Sequence, residues 1–302
     1  MSDQGIWKYK NNLLPLLPKF QLSLGEGGTP LRKVGGIYFK CEFGNPNGSY
    51  KDRSLAYQIS HIYSLGIKKA VISSSGNAAI SAFSYCKKVG IDLQVFVSPK
   101  INHLKKKVLE KVGIKFNISK TPIKSAFQYA KNAEAYNLRS SVDPIAQEGY
   151  KTIAFEILEE VDPDAIFVPV SSGTAFVGIA RGFEFMRKKL PMNTVQTTCV
   201  HPVAAFYDAN FTKTEKSLAD AIVARFTPLQ EKIMDIISES KGSGWVISDE
   251  EILEADKDLK NNNIICSYEG AMALAAYKKA IKKGQNFKNP VCILSGKLFK
   301  IN

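Results

Sequence analysis

The chain has 302 residues, 45% of them hydrophobic, enough to bury one large core or two smaller ones, and ordinary domain sizes favour two. No apolar run reaches the length of a membrane span, and Met1-Ser2-Asp3-Gln4-Gly5 lacks the basic and apolar regions of a signal peptide, so a cytoplasmic protein with no membrane partner is expected. Five scattered cysteines without a CxxC pair argue against a metal site or a disulfide framework, and a net charge of +13 spread along the chain argues against nucleic acid and for attraction of small anions.

In chain order, a strand is expected over 37–43, followed by the turn-rich loop Asn45-Pro46-Asn47-Gly48-Ser49-Tyr50-Lys51 and a helix from about Asp52. From residue 69, short β-branched runs alternate with helical patterns: strand 70–73, helix 77–89, strand 93–97 and helix 102–112. A second series has strand 165–170, a helix from around 177 to 188 and strand 195–200. Ser248-Asp249-Glu250-Glu251 has the Ser and Glu spacing of a capping box, a further helix covers 271–283 with Gly284 beyond it, and the last strand is 291–294. The pattern is that of an α/β protein with two open parallel sheets.

Ligands of such sheets sit at the carboxyl ends of strands, where loops feed helix N-termini. Four segments have that position. Lys51 stands at a helix start beside Arg53, a setting that favours the nucleophilic amine needed for a Schiff base; a solvated lysine in a turn is the plain alternative. Ser73-Ser74-Ser75-Gly76-Asn77 can hold a carboxylate or simply cap a helix. Val170-Ser171-Ser172-Gly173-Thr174-Ala175 is a nest suited to a phosphate or an ordinary turn, and Ser295 follows the last strand.

Together, and in this order, these segments resemble the tryptophan-synthase-β-like group of pyridoxal-phosphate (PLP) enzymes, fold type II, and within it the threonine synthases. Leu22-Ser23-Leu24-Gly25-Glu26-Gly27-Gly28-Thr29-Pro30-Leu31 is similar to that family's LSLGEGxTPL segment, and Gly48-Ser49-Tyr50-Lys51-Asp52-Arg53 to its GSFKDR motif. Glu148-Gly149-Tyr150-Lys151-Thr152, with Pro163-Asp164 and Val168-Pro169-Val170 following, resembles its EGQKT…PD…VPV stretch.

The resemblance implies two twisted sheets with helices on both faces, a larger PLP-binding domain of 1–53 plus 146–302, and a smaller mobile domain of 54–145 inserted into it. It implies that Lys51 carries PLP, that Asn77 bonds the ring hydroxyl, that Ser171, Ser172, Gly173 and Thr174 hold the phosphate, and that Ser295 faces the pyridine nitrogen. Ser74, Ser75, Gly76 and Arg53 are the expected substrate contacts. A homodimer acting on a small amino acid is implied, with O-phosphohomoserine converted to threonine and phosphate. Serine or threonine dehydration, β-replacement on O-phosphoserine, and a silent PLP-binding protein are the other readings.

The family's phosphate-anchoring arginine falls near Ala146, and alanine cannot donate to a phosphate. Arg53, Lys151 and Arg181 are the candidate replacement cations. Glu269 matches a family glutamate that lines the cofactor ring, or is a helix N-terminal carboxylate.

Overall fold

The computed structural model describes residues 5–298; residues 1–4, part of the stretch read as lacking a signal peptide, lie outside the described residues. In chain order the elements are β1 (Leu31–Val34), β2 (Ile37–Cys41), α1 (Lys51–Ser64), β3 (Lys69–Ser73), α2 (Asn77–Val89), β4 (Asp92–Val97), α3 (His103–Val112), β5 (Asn117–Ile118), α4 (Pro122–Asn132) and β6 (Tyr136–Asn137). They continue with α5 (Glu148–Glu160), β7 (Ala165–Pro169), α6 (Thr174–Phe185), β8 (Met192–Thr197), α7 (Gln230–Glu239), β9 (Gly244–Ile247), α8 (Asp249–Asn261), α9 (Tyr268–Lys282) and β10 (Pro290–Leu294). The expected α/β class with two sheets is what the chain adopts.

Two compact units divide the described chain: 5–27 with Asn45–Gly149, and Gly28–Gly44 with Tyr150–Leu298. The first holds a four-stranded sheet in the order β5-β4-β3-β6, all parallel. The expected boundaries, 1–53 plus 146–302 against 54–145, differ from this division. Side-chain packing onto α1 is the reason: a 3₁₀ turn at Gly5–Asn12 sets Trp7 on Tyr57, ring centroids 5.4 Å apart. Trp7 Nε1 donates to Leu22 O (2.6 Å), Tyr57 OH to Leu14 O (2.7 Å) and Leu22 N to Ser60 Oγ (2.9 Å). These bonds tie the N-terminal segment to the first unit.

Gly149 lies against α1 so closely that a Cβ there would sit 1.9 Å from Arg53 O and 2.9 Å from Ser54 N. Both are backbone atoms and neither can swing aside. Gly149→Ala is therefore expected to cost about 3 kcal/mol or more, read as a lowered denaturation midpoint.

The second unit holds a six-stranded sheet in the order β1-β2-β10-β7-β8-β9; β1 and β2 are antiparallel and the remaining pairs parallel. Every residue of β7 and β10 is buried, which their continuous apolar runs dictate. The strand expected at 37–43 ends at Cys41, where buried Glu42 opens a 3₁₀ turn and accepts from Thr29 Oγ1 (2.6 Å). The strand expected at 195–200 lies at Met192–Thr197, because Thr197 Oγ1 takes the Val200 amide (2.9 Å) and turns the chain. The capping box of α8 forms as expected, with both reciprocal bonds between Ser248 and Glu251.

Two buried ionic groups organise this unit. Lys40 pairs with Glu156 at 2.7 Å and donates to Thr29 O, while Glu156 Oε1 accepts from Gly28 N (2.8 Å), which fixes the Gly28-Thr29 segment on α5. Asp208 is 1% exposed and pairs with Lys279 (2.7 Å) and Lys283 (2.9 Å). Burial alone raises its pKa, but the bonds from both lysines and the Val246 amide outweigh that and hold it below the usual 3.8. A depressed carboxyl pKa contributes stability above the unfolded value that is lost as pH falls through the folded one. Asp208→Asn should cost about 1–3 kcal/mol at neutral pH, and the difference from the parent protein should shrink below pH 3.8 in acid unfolding.

Candidate active site

The chain enters the first unit at Asn45 and reaches Lys51, the first residue of α1, through a loop closed by Gly48 N donating to Asn45 O (2.8 Å). Gly48 has φ +84°, a conformation that favours glycine. Lys51 Nζ stands 4.3 Å from the centroid of the Tyr50 ring. Asp52, next to it, is fully buried and accepts from Asn47 N (2.7 Å), Asn47 Nδ2 (2.8 Å) and Ser81 Oγ (2.5 Å). Ser84 Oγ donates to Asn47 Oδ1 (2.8 Å). Ser81 and Ser84 belong to α2, so the Asp52 carboxylate locks the lysine loop to the helix that begins at Asn77.

Asn77 is the first residue of α2, and its Oδ1 is buried with no hydrogen-bond partner among the described residues. Ser74, Ser75 and Gly76 form the turn between β3 and α2, with Gly76 N donating to Ser74 Oγ (3.3 Å). An unpaired buried acceptor is costly unless a ligand donates to it. The loop that ends at Lys51 and the helix that opens at Asn77 thus belong to one unit and are joined through Asp52 and Asn47.

Arg53, the next residue of α1, is an expected substrate contact. It is completely buried in α1, a helix buried continuously from Asp52 to Ser60. Ala146 is also fully buried, and its carbonyl accepts from Ser54 Oγ (2.7 Å). Lys151 is 7% exposed, with its Nζ 5.6 Å over the Phe185 ring.

In the second unit the chain turns after β7 through Ser171, Ser172 and Gly173 into α6 at Thr174. Gly173 has φ +88°, and a Cβ on it would meet Ile233 Cδ1 at 2.3 Å, so only glycine fits this turn. The first amides of α6 have no partner within the helix and, with the macrodipole, favour an anion. Ser171 Oγ accepts from Val223 N (3.2 Å) and Ala224 N (3.4 Å), and Thr227 Oγ1 donates to Ser172 O (2.5 Å). These bonds strap 223–227 onto the turn. Glu269 Oε1 takes the Ala221 amide (2.9 Å), so its carboxylate anchors the same segment at the start of α9.

Ser295 follows β10, is 6% exposed, and shares its sheet edge with the Ser171 turn because β10 and β7 are parallel neighbours in register Cys292↔Phe167. Sequence reasoning missed Asn47, Asp52, Ser81 and Ser84 as the lock on Lys51, and missed the 223–227 strap. Asp52 carried a signal in its place directly after the lysine; the others carried none.

A family model described as pyridoxal-phosphate dependent enzyme matches residues 22–296. Over 97% of this chain and 80% of its own length, the threonine synthase of Methanocaldococcus jannaschii is 29% identical; that of Methanosarcina acetivorans is 30% identical over 98% and 80%. A catabolic L-threonine dehydratase of Staphylococcus aureus is 27% identical over 87% and 79%. Among solved structures, maize serine racemase superposes with a TM-score of 0.78 at 21% identity, covering 91% of this chain and 88% of that one. The processed form of threonine deaminase isoform 2 from Solanum lycopersicum gives 0.76 at 19% identity, covering 98% and 90%. These neighbours have the fold type II architecture that the sheets of this chain reproduce.

Proposed function

The chain belongs to the pyridoxal-phosphate-dependent enzymes, with pyridoxal 5′-phosphate as cofactor, and from that premise we propose that it is a carbon–oxygen lyase of threonine synthase type. It would convert O-phosphohomoserine and water to threonine and phosphate. The observation that carries this reading is the placement of Lys51 at the N-terminus of α1, locked by Asp52 to the helix that begins at Asn77. The likeness to threonine synthases over nearly the whole chain supports it.

The residues present fit the cofactor, since Asn77 Oδ1 is a buried acceptor awaiting a donor such as a ring hydroxyl. Bound PLP supplies an electron sink for negative charge at the substrate α carbon. Lys51 Nζ would hold the cofactor, and its free amine would be the base that takes the substrate α proton and returns it. Ser171, Ser172, Gly173 and Thr174 hold the cofactor phosphate with hydroxyls and helix amides, and Ser74, Ser75 and Gly76 orient the substrate carboxylate. Ser295 offers the ring nitrogen a neutral hydroxyl, which favours elimination over transamination. A small amino acid is the substrate, and a cytoplasmic homodimer is the expected form.

Dehydration of serine or threonine is the second reading, favoured by the buried Ala146 where a phosphate-anchoring arginine would be needed. Phosphate release from O-phosphohomoserine, assayed beside 2-oxo acid and ammonia release from serine and threonine, separates the two. Phosphate with threonine is expected; 2-oxo acid alone would replace the first reading by the second, and neither product would leave a silent PLP-binding protein.

A further inference from the structure

We propose that Arg139 is a specificity-determining residue that holds a second anionic group, at the far end of the substrate side chain from its α-carboxylate. The proposal rests on the reading of Ser74, Ser75 and Gly76 as the seat of that carboxylate and names what lies beside it. The substrate class is an α-amino acid with a phosphate ester or a carboxylate on its side chain.

The placement follows from the sheet. β6 runs parallel to β3 in register Val71↔Asn137, and Leu138 N donates to Val71 O (2.9 Å). The chain therefore leaves β6 at the carboxyl edge from which β3 runs into Ser74. Neighbouring strands lie about 4.8 Å apart, so Arg139 flanks the start of the Ser74-to-Gly76 turn. Asn137 and Arg139 flank the buried Leu138, and the Arg139 amide donates back to Asn137 Oδ1, which keeps the two residues together at this exit.

Arg139 is held but not neutralised. Its amide donates to Asn137 Oδ1 (3.1 Å) and its Nε to Ser141 Oγ (3.0 Å), which orients the guanidinium fork. No carboxylate among the described residues pairs with it. The acid nearest in sequence, Asp143, is engaged by Gln58 Nε2 (2.7 Å), Tyr136 OH (2.8 Å) and Ile145 N (3.0 Å).

Burial lowers the pKa of the half-buried guanidinium, as expected for a cation partly stripped of water without a counter-charge. Asn137 Nδ2 is a buried donor with no partner among the described residues. A partly desolvated cation and an unused donor two residues apart at the strand exit are stabilised by an incoming anion, and a guanidinium takes phosphate or carboxylate bidentately. The charge that position 146 lacks is thus supplied from the exit of β6.

The test is ligand titration of the PLP-loaded protein, read as change in the visible absorbance of the cofactor, with O-phosphohomoserine, aspartate, serine and threonine. The parent protein should bind one of the two anionic side chains more tightly than serine or threonine, and which one identifies phosphate ester or carboxylate. Arg139→Gln should weaken that ligand by about 10- to 100-fold. It should leave serine and threonine within about threefold, and Arg139→Lys should recover part of the loss, keeping charge without the bidentate fork. An unaltered visible band certifies that each variant is folded and loaded. Equal weakening of all four ligands, or of none, on a normal band would overturn the role of Arg139 alone. A parent protein with no visible band would overturn the Lys51 reading and this proposal with it.

Discussion

Lys51→Ala is expected to abolish the visible absorbance of the cofactor-loaded protein and to lower turnover by about 10⁴-fold or more, since it removes both the covalent attachment and the base that moves the α proton. The side chain is partly exposed at the first position of α1, so its loss costs the fold little. Melting temperature near that of the parent protein, with absorbance and turnover both lost, is the expected pattern. Turnover retained in this variant would contradict the assignment of Lys51.

Asp52→Ala should act through stability as well as through the site. The carboxylate is fully buried and accepts from Asn47 N, Asn47 Nδ2 and Ser81 Oγ, bonds that close the 47–52 loop and tie it to α2. Removing it leaves the Asn47 amide, the Asn47 side chain and the Ser81 hydroxyl without their acceptor, a loss of about 3–5 kcal/mol by the measure of broken buried networks. Because the same bonds fix the start of α1 relative to Asn77, cofactor affinity should fall along with the unfolding midpoint. Ser81→Ala, which deletes a single one of these bonds, should cost only about 1 kcal/mol and keep the visible band. Similar losses in the two variants would show that Asp52 is not the centre of this lock.

The sequence was most legible where a pattern is local. The wholly apolar run of β7 reads directly as a strand buried on both faces, and the Ser248 and Glu251 pair reads as the capping box that the structure contains. The turns after β3 and β7 were recognisable because small polar residues follow a strand and precede a helical pattern. Elements such as β5 and β6, two residues each, carry no periodicity to read.

Other features come from tertiary packing. The complete burial of Arg53 follows from α1 being buried continuously from Asp52 to Ser60, which nothing in its own motif announces. The N-terminal segment carries no sign in its own residues that Trp7 will stack on Tyr57, a contact made 50 residues along the chain. The partners of Asp52 lie on α2, 29 residues away at Ser81, so its role emerges only when the helices are placed. Arg139 stands outside every recognisable motif, and only the parallel pairing of β6 with β3 sets it beside the Ser74 turn.

The most direct test of the central claim is to load the purified protein with PLP, trap the attached cofactor by borohydride reduction, and map the labelled peptide by mass spectrometry. The account predicts a single label, on Lys51. A label on another lysine, or none on a protein that remains folded, would contradict it.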